Sequence, residues 1–168
     1  MLYCGILEKT PLGRIFIVSD EQCIVKIDFD KPDTREIDVY LTKWFGSPEI
    51  TPGITSAISQ AMIQLSGYFD GTVRGFDLPV RLFGTAFQQR CWAELCRIPY
   101  GETISYKTLA ERVGSPKAFR AVGQANHHNP MNIVVPCHRV LAGDGSLGGY
   151  GSGLDIKQAL LEHEAEHK

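Results

Sequence analysis

The run Ile133-Val134-Val135-Pro136-Cys137-His138-Arg139-Val140 is the stretch the rest of the chain has to accommodate. Three apolar β-formers meet a proline, and a Cys-His pair follows at once. Pro136 biases Val135 toward extended backbone, so the run predicts a short buried strand with Cys137 at its abrupt end. A thiol becomes a nucleophile only as its thiolate. That requires a base or a positive charge nearby to lower an ordinary pKa of about 8.5. His138 and Arg139 are next in sequence, but neighbours on an extended chain point to opposite sides. Adjacency therefore leaves two readings open: a reactive cysteine, or a buried structural one beside surface residues.

The 168 residues fit one domain or two small ones and can bury a real core. A hydrophobic content of 43% and a charged content of 21% are ordinary for a soluble globular protein. No apolar run approaches the roughly 20 residues of a membrane span. The opening Met1-Leu2-Tyr3-Cys4-Gly5 lacks the basic start and apolar core of a secretory signal, so a cytoplasmic location is expected. Cys4, Cys23, Cys91, Cys96 and Cys137 form an odd set with no CxxC pair, which argues against a disulfide framework or a zinc knuckle. The net charge of −2 hides an asymmetry: residues 81–140 carry 8 basic and 3 acidic side chains, a local +5. That excess points modestly to an anionic partner.

The first half reads as an antiparallel meander followed by two helices. Residues 2–7 and 14–19 are predicted strands around the turn Thr10-Pro11-Leu12-Gly13. Val25, Ile27 and Phe29 alternate with Lys26 and Asp28, which predicts a half-buried strand. Ile37, Tyr40, Leu41 and Trp44 fall at helical spacing, as do Ile58, Ala61, Leu65 and Tyr68. Residues 70–85 are rich in Gly and turn formers and mark a boundary, giving an N-terminal domain over 1–80 and a second over 81–168.

The second domain carries the informative pattern. A helix is predicted from about 86 to 97, broken by Pro99-Tyr100-Gly101. Tyr106, Leu109, Ala110 and Val113 then fall at i, i+3, i+4 and i+7. Gly114 suits a C′ position, and Ser115-Pro116 supply an N-cap and a first-turn proline for a helix over 116–128. Two short helices about a glycine turn are the signature of a helix-turn-helix. The second helix pairs small Ala118, Ala121, Gly123 and Ala125 with polar Arg120, Gln124 and Asn126, so it can approach a surface closely. An ordinary helix hairpin has the same pattern. After the Cys137 run, residues 143–153 hold six glycines and offer backbone groups to a flat ligand. The loop lacks the Lys-Ser/Thr ending of a phosphate loop. A last helix over 154–164 is predicted to bury Ile156, Ala159, Leu160 and His163.

PCHRV, behind such a helix pair with a mid-helix arginine and ahead of Gly148-Gly149-Tyr150 and the LLEHE ending, resembles the methylated-DNA–protein-cysteine methyltransferases, or O6-alkylguanine-DNA alkyltransferases. The likeness is dense over residues 83–165 and thinner over 1–80. It implies an α/β, ribonuclease H-like N-terminal domain with an antiparallel sheet and helices, then a mostly α C-terminal domain with a winged helix-turn-helix. It implies single-turnover DNA repair: an alkyl group passes irreversibly from O6-alkylguanine, and from O4-alkylthymine, to Cys137. The partner is double-stranded DNA containing the alkylated base, bound through the minor groove by a monomer with the nucleotide flipped. No cofactor is implied.

The same resemblance assigns roles. Cys137 is the alkyl acceptor, His138 its base acting through a water, and Glu164 the group that orients the imidazole. Tyr106 helps rotate the nucleotide and donates a hydrogen bond to the leaving guanine. Arg120 fills the space left in the base stack, while Ala121, Gly123 and Lys117 contact DNA. Asn129 ties the recognition helix to the active-site strand, and with Val140, Tyr150, Gly151 and Ser152 it belongs to the substrate pocket. Some relatives hold zinc in the N-terminal domain. Here Cys4 matches one ligand position, but Asp20 and Val25 stand where others are expected, so no metal is expected. Flipping also has a physical basis, because an O6 atom inside a duplex cannot be reached in line by a buried thiolate. A non-catalytic module that binds alkylated DNA, with Cys137 structural, and a Cys-His hydrolase are the alternatives.

Overall fold

The computed structural model describes residues 1–31 and 35–168. The chain divides into two compact units, Met1–Phe83 and Gly84–Lys168.

The first unit is built on a four-stranded sheet. Strands β1 (Leu2–Leu7), β2 (Ile15–Ser19) and β3 (Ile24–Phe29) form the predicted antiparallel meander, with Gly5 opposite Ile17 and Ile17 opposite Ile27. A short strand, β4 (Ile50–Pro52), was not anticipated and pairs parallel to β1. The order is β3-β2-β1-β4, so the sheet is mixed rather than purely antiparallel. Leu2, Val18 and Val25 form a core with Ile37 and Leu41 of helix α1 (Arg35–Phe45). On the other face helix α2 (Ser56–Phe69) buries Ala57, Ile58, Ala61, Leu65 and Tyr68. Gly5 is needed there: a Cβ at that position would fall 2.6 Å from Ile58 Cγ2.

Strand β3 departs from the half-buried expectation, because all six of its residues are buried. Lys26 and Asp28 tolerate this by pairing at 3.4 Å, with the Lys26 ammonium 5.3 Å from the Tyr40 ring centroid. An alternating pattern signals a wet face only when nothing covers it. Here the two charges satisfy each other.

The second unit contains helices α3 (Ala86–Leu95), α4 (Tyr106–Arg112), α5 (Phe119–His127) and α6 (Leu154–Glu166), with β5 (Ile104–Ser105) pairing parallel to β6 (Val140–Leu141). Thr85 and Gln88 close a capping box at the start of α3. The Trp92 indole donates to Ala125 O at 2.8 Å and fastens α3 to α5. Helices α4 and α5 are the expected helix pair. Ser105 caps α4 by accepting from Thr108 N. Gly114, at φ +79, gives its N–H to Glu111 O while Ser115 N–H reaches Ala110 O, which closes a Schellman stop. Ser115 and Pro116 do not start the next helix. They form a turn, and α5 begins at Phe119 with Ala118 at its N-cap.

Two further expectations are corrected. Residues 133–136 do not form a strand. Val134 N bonds Asn132 O, Val135 N bonds Met131 O, and Cys137 N bonds Val135 O, a chain of tight turns with Ile133 at φ +74. Cys137–Arg139 is then a single 3-10 turn. A continuous apolar run shows burial but not backbone shape, and here the Val134 and Val135 N–H groups are spent on turns rather than on a neighbouring strand. Helix α6 is rotated from its predicted face: Lys157, Leu160 and Glu164 are buried, whereas Ile156, Ala159 and His163 are only partly so. Among the described residues no helix is long and apolar enough to cross a membrane.

Candidate active site

Cys137 opens the 3-10 turn and is 3% exposed. Its position is set by Asn129, just beyond the end of α5. The Asn129 Nδ2 group donates to Val135 O at 2.7 Å and to Cys137 Sγ at 3.1 Å, while Oδ1 accepts from Met131 N at 2.9 Å. One buried amide thus folds the turn segment and points an N–H at the sulfur. A donor aimed at sulfur favours the thiolate over the thiol.

The next two residues on the same turn converge on α6. His138 Nε2 lies 2.7 Å from Glu164 Oε1. Arg139 reaches the same carboxylate twice, Nε to Oε2 and Nη2 to Oε1, both at 2.9 Å, and gives Nη1 to Ile98 O. Gly101 N adds a fourth donor at 3.1 Å. Burial opposes the Glu164 charge, but bonds from His138 and Arg139 outweigh it and hold the carboxyl far below its usual range. An ionised carboxylate only accepts, so His138 Nε2 carries the proton. Burial keeps His138 below its ordinary pKa, since the pull of Glu164 is shared with Arg139. The imidazole is therefore neutral, and Nδ1 holds the lone pair. Nδ1 is buried and makes no hydrogen bond among the described residues.

Cys137 opens onto a cavity of about 440 Å³ whose lining includes Tyr106, Arg120, Gly123, Tyr150 and Gly151. Five sequence-predicted residues therefore share one pocket with the cysteine. The Tyr106 hydroxyl donates to Gly149 O at 3.4 Å. Burial, reinforced by negative charge on Cys137, raises its pKa, so it remains a proton donor. The Tyr150 hydroxyl donates to Asn132 Oδ1 at 3.2 Å. Asn129, Val140 and Ser152 lie outside this lining: Asn129 and Val140 are buried, and Ser152 sits in the adjoining loop. Ala121 is exposed on α5, and Lys117 is exposed in the turn before it.

Several residues escaped the sequence reading. Phe119, Asn126 and His127 line the cavity along with Arg120. Lys157 is fully buried, and its ammonium donates to Val140 O at 2.6 Å, to Gly149 O at 3.1 Å and to Leu147 O. Burial lowers its pKa to about 8, against which negative charge on Cys137 pulls upward. Lys157 thus ties the glycine-rich loop to β6 beside the sulfur. In the sequence it looks like any lysine on an amphipathic helix, and no signal separates it from an exposed one. Arg139 stands inside the PCHR block, where only the third dimension shows its carboxylate. Among the described residues no group of three or more His, Cys, Asp or Glu is gathered for a metal ion.

The first unit is a mixed sheet with two helices, and the second closes a cysteine into a pocket beside a helix pair. The model of the 6-O-methylguanine DNA methyltransferase ribonuclease-like domain matches residues 2–82, and that of its DNA binding domain matches residues 86–166. The methylated-DNA–protein-cysteine methyltransferase of Methanosarcina barkeri is 43% identical over 164 residues, 97% of each chain. That of Mycobacterium tuberculosis is 55% identical over 108 residues, 64% of this chain and 66% of the relative. The crystal structure of Mycobacterium tuberculosis O6-methylguanine methyltransferase superposes with a TM-score of 0.82 at 39% identity, covering 100% of this chain and 95% of that one. The OGT of the same organism in complex with DNA gives 0.82 at 38% identity, covering 99% and 93%. The chain belongs to the methylated-DNA–protein-cysteine methyltransferase family.

The network fixes how stability depends on pH. The folded pKa of His138 lies below its ordinary value of about 6.5, so below that pH the unfolded chain binds more protons. The stability contribution is complete above about pH 6.5 and is lost as pH falls, by at most about 1.4 kcal/mol per pH unit for one proton. Glu164, also depressed, adds a loss of the same sign below about pH 4.3. Urea unfolding from neutral pH down to about pH 5 should show a slope in the native protein that flattens in His138→Gln. Parallel slopes for the two proteins would contradict the neutral, buried imidazole.

Proposed function

We propose that this protein repairs alkylated DNA by taking the alkyl group of O6-alkylguanine onto Cys137, once and irreversibly. The observation that carries the reading is a buried sulfur, with an amide donor on it, opening onto a base-sized cavity next to the polar helix α5. A group only 3% exposed cannot reach into a stacked duplex, so the base must come to the sulfur. Extruding a nucleotide costs a few kcal/mol, and a weakened lesion pair lowers that cost.

In the reaction His138 takes the thiol proton at Nδ1 through a water, and Glu164 and Arg139 hold the ring in the tautomer that permits it. The thiolate attacks the alkyl carbon in line. An S–C bond forms as the C–O6 bond breaks, and the electron pair leaves with guanine. Tyr106, kept protonated by its surroundings, donates a hydrogen bond to the departing guanine, and the proton held by His138 passes through solvent to the base, so that both side chains end as they began. Thiol and alkylated base become thioether and ordinary guanine. A thioether has no easy route back to thiol, so each molecule acts once. The same pocket admits O4-alkylthymine in principle, since the sulfur sees only the alkyl carbon and its oxygen.

Arg120, exposed at the start of α5, and Lys117, exposed in the turn before it, lie within the basic stretch and meet DNA phosphates and the gap left in the stack. The small Ala121 and Gly123 let the helix sit in the minor groove. Gly123 has nothing within 4 Å of where a Cβ would be, which leaves that surface open to a close partner. The protein acts as a monomer in the cytoplasm, where its five free cysteines stay reduced.

Incubation with duplex DNA containing O6-methylguanine should add one methyl to the intact mass, mapped to the Cys137 peptide. Cys137→Ser should lose this while still binding the lesion. Label on Cys91, or none at all, would overturn the proposal. Arg120→Ala should slow transfer from duplex at least about tenfold more than transfer from free O6-benzylguanine, because Arg120 supports the extruded state and does not touch sulfur. Equal slowing on both substrates would remove that role.

A further inference from the structure

We infer that Asn126 is a substrate-contacting residue whose side-chain amide hydrogen-bonds the base drawn into the cavity. The inference rests on the reading that this cavity receives an everted alkylated base.

Three asparagines surround the active site, and their environments differ. Asn129 spends its amide on Val135, Cys137 and Met131. Asn132 accepts from the Tyr150 hydroxyl. Asn126, on the last turn of α5, lines the same cavity as Cys137 and Tyr106. It is 8% exposed, and neither Nδ2 nor Oδ1 has a hydrogen-bond partner among the described residues. Its amide stands close enough to Tyr106 to favour the ionised phenol, but no hydrogen bond joins them.

An amide buried in this way is costly to the free protein. For packing alone, leucine of nearly the same size would serve the position better. Its neighbours Val122 and Ala125 on α5 are apolar and fully packed, so the helix has no general need for polarity at this depth. What distinguishes position 126 is that it borders the cavity. Pockets for flat ligands are mostly apolar with a few polar groups that fix orientation. Every alkylated base carries ring nitrogens that accept, and guanine adds an exocyclic amino group that donates. A carboxamide can meet either, with its N–H groups or its oxygen. The Tyr106 hydroxyl, which donates only a long bond to Gly149 O among the described residues, is the second polar group on that wall. Together they would orient the base so that its alkyl carbon faces Sγ. The cost borne by the empty pocket is recovered only when the base arrives, which raises the fraction of bound lesion held in a reactive pose.

This makes an unusual pairing of effects in one variant. Asn126→Leu should slow single-turnover transfer from O6-methylguanine in duplex DNA by about tenfold, the loss of one good hydrogen bond. Its melting temperature should stay the same or rise, because an unsatisfied buried amide is gone. Asn126→Ala, which makes no demand on volume, should show the same loss of rate and guards against a leucine that does not fit. Native-like transfer rates in both variants would overturn the inference. So would a melting temperature that falls in parallel with the rate in both, the mark of a purely structural asparagine. If the unaltered protein takes no methyl from the lesion, the proposed function itself fails, an outcome separate from these.

Discussion

The carboxylate of Glu164 is the point on which the second unit turns. It lies 1% exposed on α6 and accepts from His138, twice from Arg139, and from Gly101. Taken alone, a buried carboxylate is expensive, and breaking a buried ion pair typically costs about 3–5 kcal/mol because the partner charge is stranded. Here the carboxylate also sets the chemistry. With Arg139 balancing its charge, Glu164 need not draw a second proton onto His138. The imidazole can stay neutral with its lone pair on Nδ1. Without Arg139 the same geometry would favour an imidazolium, which cannot accept a proton.

Cys137 hangs on this anchor through backbone that is locally strained. Ile133 sits at φ +74, where a β-branched side chain is disfavoured by about 1–3 kcal/mol. The Asn129 amide and the tight turns around it hold the strain in place. The glycine-rich loop on the far side of the cavity is gathered by the Lys157 ammonium through three carbonyls. Asparagine, carboxylate and lysine each use a buried polar group to hold backbone that forms neither helix nor ladder. The sulfur is thereby fixed in a packed place, while the wall opposite it is made of loop.

How much of this was legible in the sequence depended on the kind of signal. Periodicity placed the meander, the helix pair and its glycine stop, because those follow from spacing and backbone chemistry local to the chain. It misread residues 133–136 as a strand, since Ile-Val-Val reports burial and is silent about turns made by a side chain four to six residues upstream. It turned α6 by one position, because Lys157 and Glu164 are buried for polar reasons that a hydrophobic stripe cannot show. The pairing of His138 with Glu164 came only from the family resemblance. Their separation of 26 positions carries no physical cue, and the observed 2.7 Å contact is what puts them together. Asn126 and Arg139 were in plain view but unremarkable until their surroundings were known.

The central proposal is that a neutral His138, protonated on Nε2 and held by Glu164, takes the thiol proton on Nδ1 through a water. Long-range proton–nitrogen NMR correlation on the unreacted protein at neutral pH reads this directly. The account predicts one buried histidine with a protonated Nε2 and an imine-like Nδ1, whose signals disappear or shift in His138→Gln. A doubly protonated ring at that position, or a proton found on Nδ1, would contradict it.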